Sequence, residues 1–204
     1  YQVPDFLVDT VDLHFLLQPG AATVTATLAM RRNPESSSDG GLRLDGEQLE
    51  LQTVAINDQL LSEDTYRQDD EGLTIFSVPD SFKLQTVVLI HPEDNTALEG
   101  LYQSSGNYCT QCEAQGFRKI TFYPDRPDVM AVFTTTVEAN KASYPVLLSN
   151  GNPVERGEGE DGRHWVKWED PFRKPAYLFA LVAGDLALTS GTYTTVSGRE
   201  VKLE

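Results

Sequence analysis

Apolar residues recur at every second position along much of this chain, and this period constrains the fold more than any other feature. Val11, Leu13, Phe15 and Leu17 form one such run, and a second run spans 24–30. A strand turns successive side chains to opposite faces, so this alternation predicts half-buried β-strands. Further candidate strands, rich in the β-branched and aromatic residues that favour sheets, are 49–56, 73–78, 82–90, 118–123, 129–139, 144–148, 164–168, 177–183 and 192–196.

Short clusters of Gly, Pro, Ser, Asn and Asp separate the candidate strands, as at 36–41 and 149–153. Many short strands at this spacing predict a mainly β fold, in which twisted antiparallel or mixed sheets pack as a sandwich. No internal repeat or linker divides the sequence, so we interpret 1–204 as a single β domain. The stretch 92–116 lacks alternation and is predicted to be a long loop, of a length that is usually functional or disordered.

The composition argues against several classes of function. The 31 acidic and 16 basic residues give a formal net charge of −15, so the average field repels nucleic acid and anionic lipid. No apolar run is long enough to cross a bilayer as a helix. The amino terminus, YQVPDFLVDT, has neither an initiating Met nor a signal-peptide pattern, and we expect an excised piece of a longer protein. A count of only 2 cysteines favours a reducing compartment, so we expect the cytoplasm.

Both cysteines, Cys109 and Cys112, lie in the string CTQCEAQG. Two thiolates at this spacing supply half of a tetrahedral zinc site, but the chain has no further cysteine and its 3 histidines are isolated in sequence. A redox pair needs a stabilised thiolate, generally in a βαβ setting, whereas here Glu113 comes directly after the pair. The simplest interpretation is two small, partly buried side chains that fix a loop. We predict no metal site in this chain, while the zinc and redox alternatives stay open.

No known catalytic motif occurs in the sequence. A G-x-S-x-G elbow and a phosphate-binding loop are both absent, and the acidic residues form no pair whose spacing marks a general acid and base. The run GEGED at 157–161 fits a solvated turn better than a calcium loop. Trp165 and Trp168 could stack on a carbohydrate, although aromatic residues in a short strand more often pack in the core. We therefore predict no catalytic residue in this chain.

Three strings, TQCEAQGFR, YPDRPDV and KPAYLFALVAGDL, carry a long resemblance to a known family. The similarity is dense from about 95 to 185, continues to the end of the chain and is looser toward the start. On these strings the chain resembles the amino-terminal domain of the bacterial aminopeptidase N family, which are zinc metallopeptidases of the gluzincin group. The resemblance implies a saddle-like β domain. It also implies that the H-E-x-x-H zinc motif and the G-A-M-E-N signature lie in a catalytic domain after 204, since neither occurs here.

The resemblance implies that the parent protein is a hydrolase of peptide catabolism, an aminopeptidase of the membrane alanyl type with a bound zinc. This piece alone would be inactive and would hold no cofactor. In the family, a glutamate from a loop of the β domain binds the free α-amino group of the peptide substrate, and Glu113 matches it. Gln111 matches a residue that lines the first side-chain pocket. The domain would also help its own catalytic domain to close the active-site chamber.

A hypothesis of another class is a stand-alone β-sandwich module that holds a partner through Trp165, Trp168 or the acidic loops. The two hypotheses differ in the coding sequence expected after Glu204. A continuation with G-A-M-E-N and H-E-x-x-H supports the peptidase, whereas a stop codon supports the module. Peripheral association of the parent protein with a membrane stays open.

Overall fold

The computed structural model describes residues 1–38 and 40–204 and consists mainly of strands. Strand makes up 56% of the chain and helix 4%, which confirms the predicted mainly β class. Among the described residues, single-turn 3-10 helices lie at Glu63–Thr65, Phe117–Lys119 and Ala176–Leu178. Within the described residues the strands are β1 (Phe6–Gln18), β2 (Ala21–Arg32), β3 (Leu42–Asp45), β4 (Glu50–Ile56), β5 (Gln59–Leu60), β6 (Tyr66–Asp69), β7 (Gly72–Ile75), β8 (Ser81–Ile90), β9 (Gly100–Ser104), β10 (Asn107–Gln111), β11 (Met130–Asn140), β12 (Val146–Ser149), β13 (Asn152–Glu158), β14 (Arg163–Pro175), β15 (Leu181–Gly184), β16 (Gly191–Thr194) and β17 (Glu200–Leu203).

An eight-stranded sheet forms the frame of the molecule, in the order β13-β14-β11-β1-β2-β8-β4-β5. β1 and β11 run parallel, and the other neighbouring strands are antiparallel. The register places Leu13 of β1 opposite Ala26 of β2 and Thr135 of β11. The predicted alternation is observed along β1, where the side chains at 11, 13, 15 and 17 are buried and those between them are partly or fully exposed. One face of this sheet is therefore the core face.

Smaller sheets accompany the large one: β12-β15-β10-β9, β3-β7-β6 and the hairpin β16-β17. Aromatic side chains in the segments that follow β10 and precede β15 pack on the core face of the large sheet. Phe15 of β1 stacks on Phe179, with 5.8 Å between the ring centroids, and Phe133 of β11 meets Phe117 edge-on at 6.0 Å. Phe117 also contacts Phe179 at 5.4 Å. Such aromatic pairs contribute beyond the apolar area that they bury, so this cluster holds the two layers of the predicted sandwich together.

The stretch 92–116 differs from the long loop predicted for it, because it contains the hairpin of β9 and β10. β10 pairs with β9 on one side and with β15 on the other. Leu101 and Tyr108 supply its buried side chains, while most of their neighbours in the two strands are only partly buried. Burial of one side chain in four or five residues leaves almost no period-two signal in the sequence, which is why the hairpin was missed.

The strand predicted at 118–123 is wrong. The segment begins in the 3-10 helix Phe117–Lys119 and continues as irregular chain, apart from an isolated bridge between Tyr123 and Asp45. The four consecutive side chains 120–123 are all buried, whereas a strand alternates its side chains between two faces. The stretch 120–123 is largely apolar because all of its side chains are buried, not because alternate side chains face the core. Similarly, the predicted strand 177–183 begins as a 3-10 helix and continues as β15.

Candidate functional site

A short turn at 113–116 connects β10 to the 3-10 helix Phe117–Lys119. Cys112 precedes the turn and is 2% exposed, Phe117 comes after it and is fully buried, and the N–H of Gly116 donates to the Cys112 carbonyl at 2.9 Å. Between these anchors Glu113 is exposed, and Gln111, the last residue of β10, is exposed beside it. The fold therefore brings both residues predicted from the resemblance to one place on the surface.

The side chain of Glu113 is free to accept hydrogen bonds. Its carboxylate forms neither a hydrogen bond nor an ion pair with any residue in the described part of the chain, and only its backbone carbonyl has a partner, the side-chain N–H of Gln111 at 3.4 Å. An exposed carboxylate on an anchored turn is suited to bind a cation such as an ammonium group, because hydrogen bonds between ionised partners are stronger than neutral ones.

Two glycines approach each other beneath this turn. A Cβ on Gly116 would lie 2.4 Å from the carbonyl oxygen of Gln111 and 2.9 Å from the nitrogen of Gly100. A Cβ on Gly100 would lie 3.0 Å from the carbonyl oxygen of Gly116, and the φ of Gly100 is +73°, a conformation that favours glycine. Backbone thus packs directly on backbone here, and the position of the turn relative to β9 is fixed.

A buried ionic network involves the 3-10 helix that follows the turn. Asp125, which is 3% exposed, accepts hydrogen bonds at Oδ2 from the backbone N–H and the Nε of Arg118, both at 3.2 Å. Its carbonyl accepts from Nη2 of Arg118 at 3.2 Å, and its N–H donates to Asp45 at 2.9 Å. Burial raises the pKa of the Asp125 carboxyl, and the hydrogen bonds from Arg118 oppose that rise.

Reasoning from the sequence missed the role of Arg118 and Asp125, although both lie in strings that carry the resemblance. An arginine and an aspartate seven residues apart, with an irregular segment between them, have no spacing that indicates contact. The signal that would have drawn attention to them is the density of charged residues within an otherwise apolar segment, since charged side chains are almost never buried without a partner.

The two cysteines serve the fold as separate side chains. Both are free: Cys109 is partly buried in β10, where it pairs with Tyr102 and Val182, and Cys112 anchors the turn. Burial raises the pKa of the Cys112 thiol to about 12, so that it remains protonated at neutral pH. The redox interpretation needs a thiolate, and Cys112 does not supply one.

Trp165 and Trp168 do not form one binding platform. They lie three residues apart in β14, so their side chains occupy opposite faces of the sheet. Gly157 of β13 pairs with Trp165, and a Cβ on that glycine would meet the indole ring at 2.8 Å. The indole nitrogen of Trp168 is buried. Trp165 thus packs against β13.

A surface depression of about 590 Å³ lies beside the base of the turn. Its lining includes the acidic residues Glu50, Asp69 and Asp70 together with His91 and Lys119. The depression contains neither Glu113 nor Gln111. Within its lining Glu50 contacts His91 at 2.8 Å, whereas Lys119 pairs at 2.6 Å with Glu99, which is not part of the lining.

Three or more His, Cys, Asp or Glu side chains converge nowhere in 1–38 and 40–204 in a way that could hold a metal ion. Over the same residues, no helix has the length and apolar character needed to span a membrane.

Comparison with known proteins identifies the family. The family model described as the Peptidase M1 N-terminal domain matches residues 9–178. Aminopeptidase N of Escherichia coli strain K12 is 52% identical over 204 residues, which cover 100% of this chain and 23% of that protein.

Solved structures show the same fold. The crystal structure of Legionella pneumophila aminopeptidase A in complex with aspartic acid matches with a TM-score of 0.94 and 39% identity, over 99% of this chain and 24% of that chain. The M1 zinc metallopeptidase of Deinococcus radiodurans matches with a TM-score of 0.80 and 18% identity, over 98% of this chain and 47% of that one. This chain spans about a quarter of the length of the Escherichia coli and Legionella relatives. It belongs to the Peptidase M1 N-terminal domain family.

Proposed function

We propose that this chain is the substrate-amine-binding domain of a zinc aminopeptidase that removes amino-terminal residues from peptides. The observation that carries the proposal is the exposed carboxylate of Glu113, which has no partner among the described residues and lies on a turn anchored at both ends by buried side chains. The names of the relatives, aminopeptidase N and aminopeptidase A, and the extent of the identity support the assignment.

The proposed role derives from the group that an exopeptidase must recognise. A peptide amino terminus carries an ammonium group that an internal peptide bond lacks, and a carboxylate binds it by charge-assisted hydrogen bonds. A site built around such a bond discriminates strongly against a substrate without the amine, because the carboxylate, enclosed in the chamber, would then be left unpaired. Gln111, which lies beside Glu113, is proposed to line the pocket for the first side chain of the substrate.

The residues of this chain do not fit a zinc site, since no suitable group of ligands converges in its described part. We therefore place the zinc and its ligands in the remainder of the parent protein, and we expect this chain alone to be inactive. When bound there, zinc would supply Lewis-acid activation of water and of the scissile carbonyl. This chain would bind and orient the amine and help to exclude water from the chamber, whose closure against the catalytic domain belongs to the same proposal.

We also propose a cytoplasmic location and a role in peptide catabolism. The two cysteines are unpaired, as a reducing compartment favours. The partners are peptides with a free amino terminus and the catalytic domain of the same polypeptide.

The test is the Glu113→Ala variant of the full-length parent enzyme. Loss of a charge-assisted hydrogen bond should lower kcat/KM by about 10- to 100-fold, while the zinc content stays that of the unmodified enzyme. The Gln111→Ala variant is the comparison, and it should change the preference among amino-terminal side chains more than the recognition of the amine. An unchanged kcat/KM in the Glu113 variant with zinc fully bound would remove this residue from the site.

A further inference from the structure

The exposed part of the turn has few contacts of its own. Glu113, Ala114 and Gln115 are exposed, and no side chain in the described residues hydrogen-bonds to this segment except Gln111, whose contact with Glu113 is 3.4 Å long. The conformation of the turn therefore depends on the residues on either side of it. Burial of Cys112 fixes the first end, and the second end is fixed at 116–119.

Arg118 links the second end to two other segments. Its side chain is 16% exposed and donates to the buried carboxylate of Asp125. Its backbone carbonyl accepts from the N–H of Glu47 at 3.0 Å, and the N–H of Asp125 donates in turn to Asp45. Lys119 extends the same base, because its side chain pairs with Glu99 at 2.6 Å while its Cβ faces Gly100.

Stability alone does not explain why Arg118 and Asp125 form a buried ion pair. Removing two charges from water costs free energy, and well-packed apolar residues of similar volume are often as stabilising or more so. The pair does restrict orientation. Arg118 donates from Nε to the Asp125 carboxylate and from Nη2 to the Asp125 carbonyl, and two hydrogen bonds from one planar guanidinium are compatible with only a narrow range of orientations. The restricted orientation fixes the chain at Arg118, which is five residues after Glu113.

We propose that Arg118 and Asp125 are positioning residues for Glu113, holding the base of the turn in one conformation so that the carboxylate meets the substrate ammonium already oriented. Neither side chain touches the substrate; they act through the turn. Preorganisation of this kind lowers the entropic cost of binding. The inference rests on the proposed function of Glu113, and a single set of variants separates failure of the one from failure of the other.

The experiment measures recognition of the amine directly in the full-length enzyme. L-leucine hydroxamate and its des-amino counterpart, 4-methylpentanohydroxamic acid, differ only in the amino group. The ratio of inhibition constants, that of the des-amino compound divided by that of L-leucine hydroxamate, therefore isolates the contribution of the amino group to binding. The ratio is measured in the unmodified enzyme, in Arg118→Lys and Asp125→Asn, in Glu113→Gln, and in the double variants of each positioning residue with Glu113→Gln. Arg163→Lys is the matched control, because it alters a comparable, partly buried arginine–carboxylate pair, with Glu138 at 2.9 Å on the large sheet.

The expected result is a reduction of the ratio by about 10- to 100-fold in Glu113→Gln and by about 3- to 10-fold in Arg118→Lys and Asp125→Asn, since misalignment weakens a hydrogen bond without removing it. In the double variants the second substitution should have no further effect, which is the signature of residues that act as one unit. Arg163→Lys should leave the ratio unchanged. A role that is only structural would reduce the affinity for both hydroxamates equally and would not move the ratio.

Two results would overturn the inference in different ways. A reduced ratio in Glu113→Gln with unchanged ratios in Arg118→Lys and Asp125→Asn refutes the positioning role and leaves the proposed function intact. An unchanged ratio in Glu113→Gln refutes the proposed function and the inference together. If one variant of the ion pair fails to fold, the other supplies the result. Hydrogen exchange of the amides at 113–116 gives a second readout. The exchange should become faster in Arg118→Lys and in Asp125→Asn, and it should stay the same in Arg163→Lys.

Discussion

His91 lies against Gly20, 71 residues earlier in the chain, with its Nδ1 2.9 Å from the glycine carbonyl oxygen. Its other ring nitrogen, Nε2, is 2.8 Å from a carboxylate oxygen of Glu50. Only a protonated imidazole can donate from both nitrogens at once. The hydrogen bond to Gly20 and then the interaction with Glu50 therefore raise the pKa of His91 above its ordinary value of 6.5.

This arrangement predicts a pH dependence of stability. A pKa that is raised in the folded state means that the contribution of His91 to stability is fully present below about pH 6.5 and is lost as the pH rises through the folded-state pKa. The urea midpoint of the unmodified chain should exceed that of His91→Gln most at about pH 5.5, and the difference should shrink above neutrality. A difference that stays constant or grows with pH would contradict this assignment.

Gly116→Ala should destabilise the chain although its φ of −79° suits any residue. The added Cβ would lie 2.4 Å from the carbonyl oxygen of Gln111, and overpacking of this kind typically costs about 1 to 3 kcal/mol. Gly191→Ala is the control, because nothing lies within 4 Å of a Cβ there, and its stability should stay within about 0.5 kcal/mol of the unmodified chain. Denaturant unfolding measures both, and equal stabilities would mean that the turn can shift to accept a side chain.

Cys112 should be inert to thiol reagents in the folded chain. It is 2% exposed and its pKa is raised to about 12, so both access and thiolate formation are suppressed. Titration with an aromatic disulfide reagent at about pH 8, below the ordinary thiol pKa, should modify Cys109 in preference, and addition of denaturant should expose the second thiol. Cys109→Ser should then leave almost no fast reaction, and a fast reaction in that variant would show that the turn opens readily.

The hairpin β16–β17 should be the least stable part of the chain. Tyr193 is 57% exposed and Leu203 is 52% exposed. The hydrogen bonds of 191–204 in the described structure all join residues of this same segment. An isolated two-stranded hairpin is marginal in water, so its amides should exchange with solvent much faster than those of β1 or β2.

Truncation offers a second measurement of the same weakness. A chain that ends at Ala187 should have a Tm within about 2 °C of that of the 204-residue chain. A loss of about 1 kcal/mol of stability would lower the Tm of a domain of this size by about 2 to 4 °C, and the hairpin should contribute less than that. A larger fall in Tm would show that the hairpin contributes to the fold through contacts with the rest of the chain.

Sequence patterns predicted the central strands of the large sheet because these strands are buried on one face, but not the exposed strands β13 and β5 at its two edges. β1, β2, β8 and β11 each alternate between core and surface, and such a strand reveals itself by period alone. The same reasoning failed at β9 and β10, where few side chains are buried, and at 120–123, where burial is continuous. Apolar residues alternate in the sequence only where one face of a strand is buried and the other face is exposed.

For the candidate site, the sequence by itself determined which residues to consider, because Glu113 and Gln111 lie in the string that carries the family resemblance. It also determined the charge of the chain and the absence of known catalytic motifs. Only the tertiary structure decided how Glu113 is presented: on a turn between buried Cys112 and Phe117, packed on Gly100 and tied to Asp125 through Arg118. The physical reason is that anchoring depends on burial and on contacts between residues distant in sequence, and neither has a local signature in the order of the amino acids.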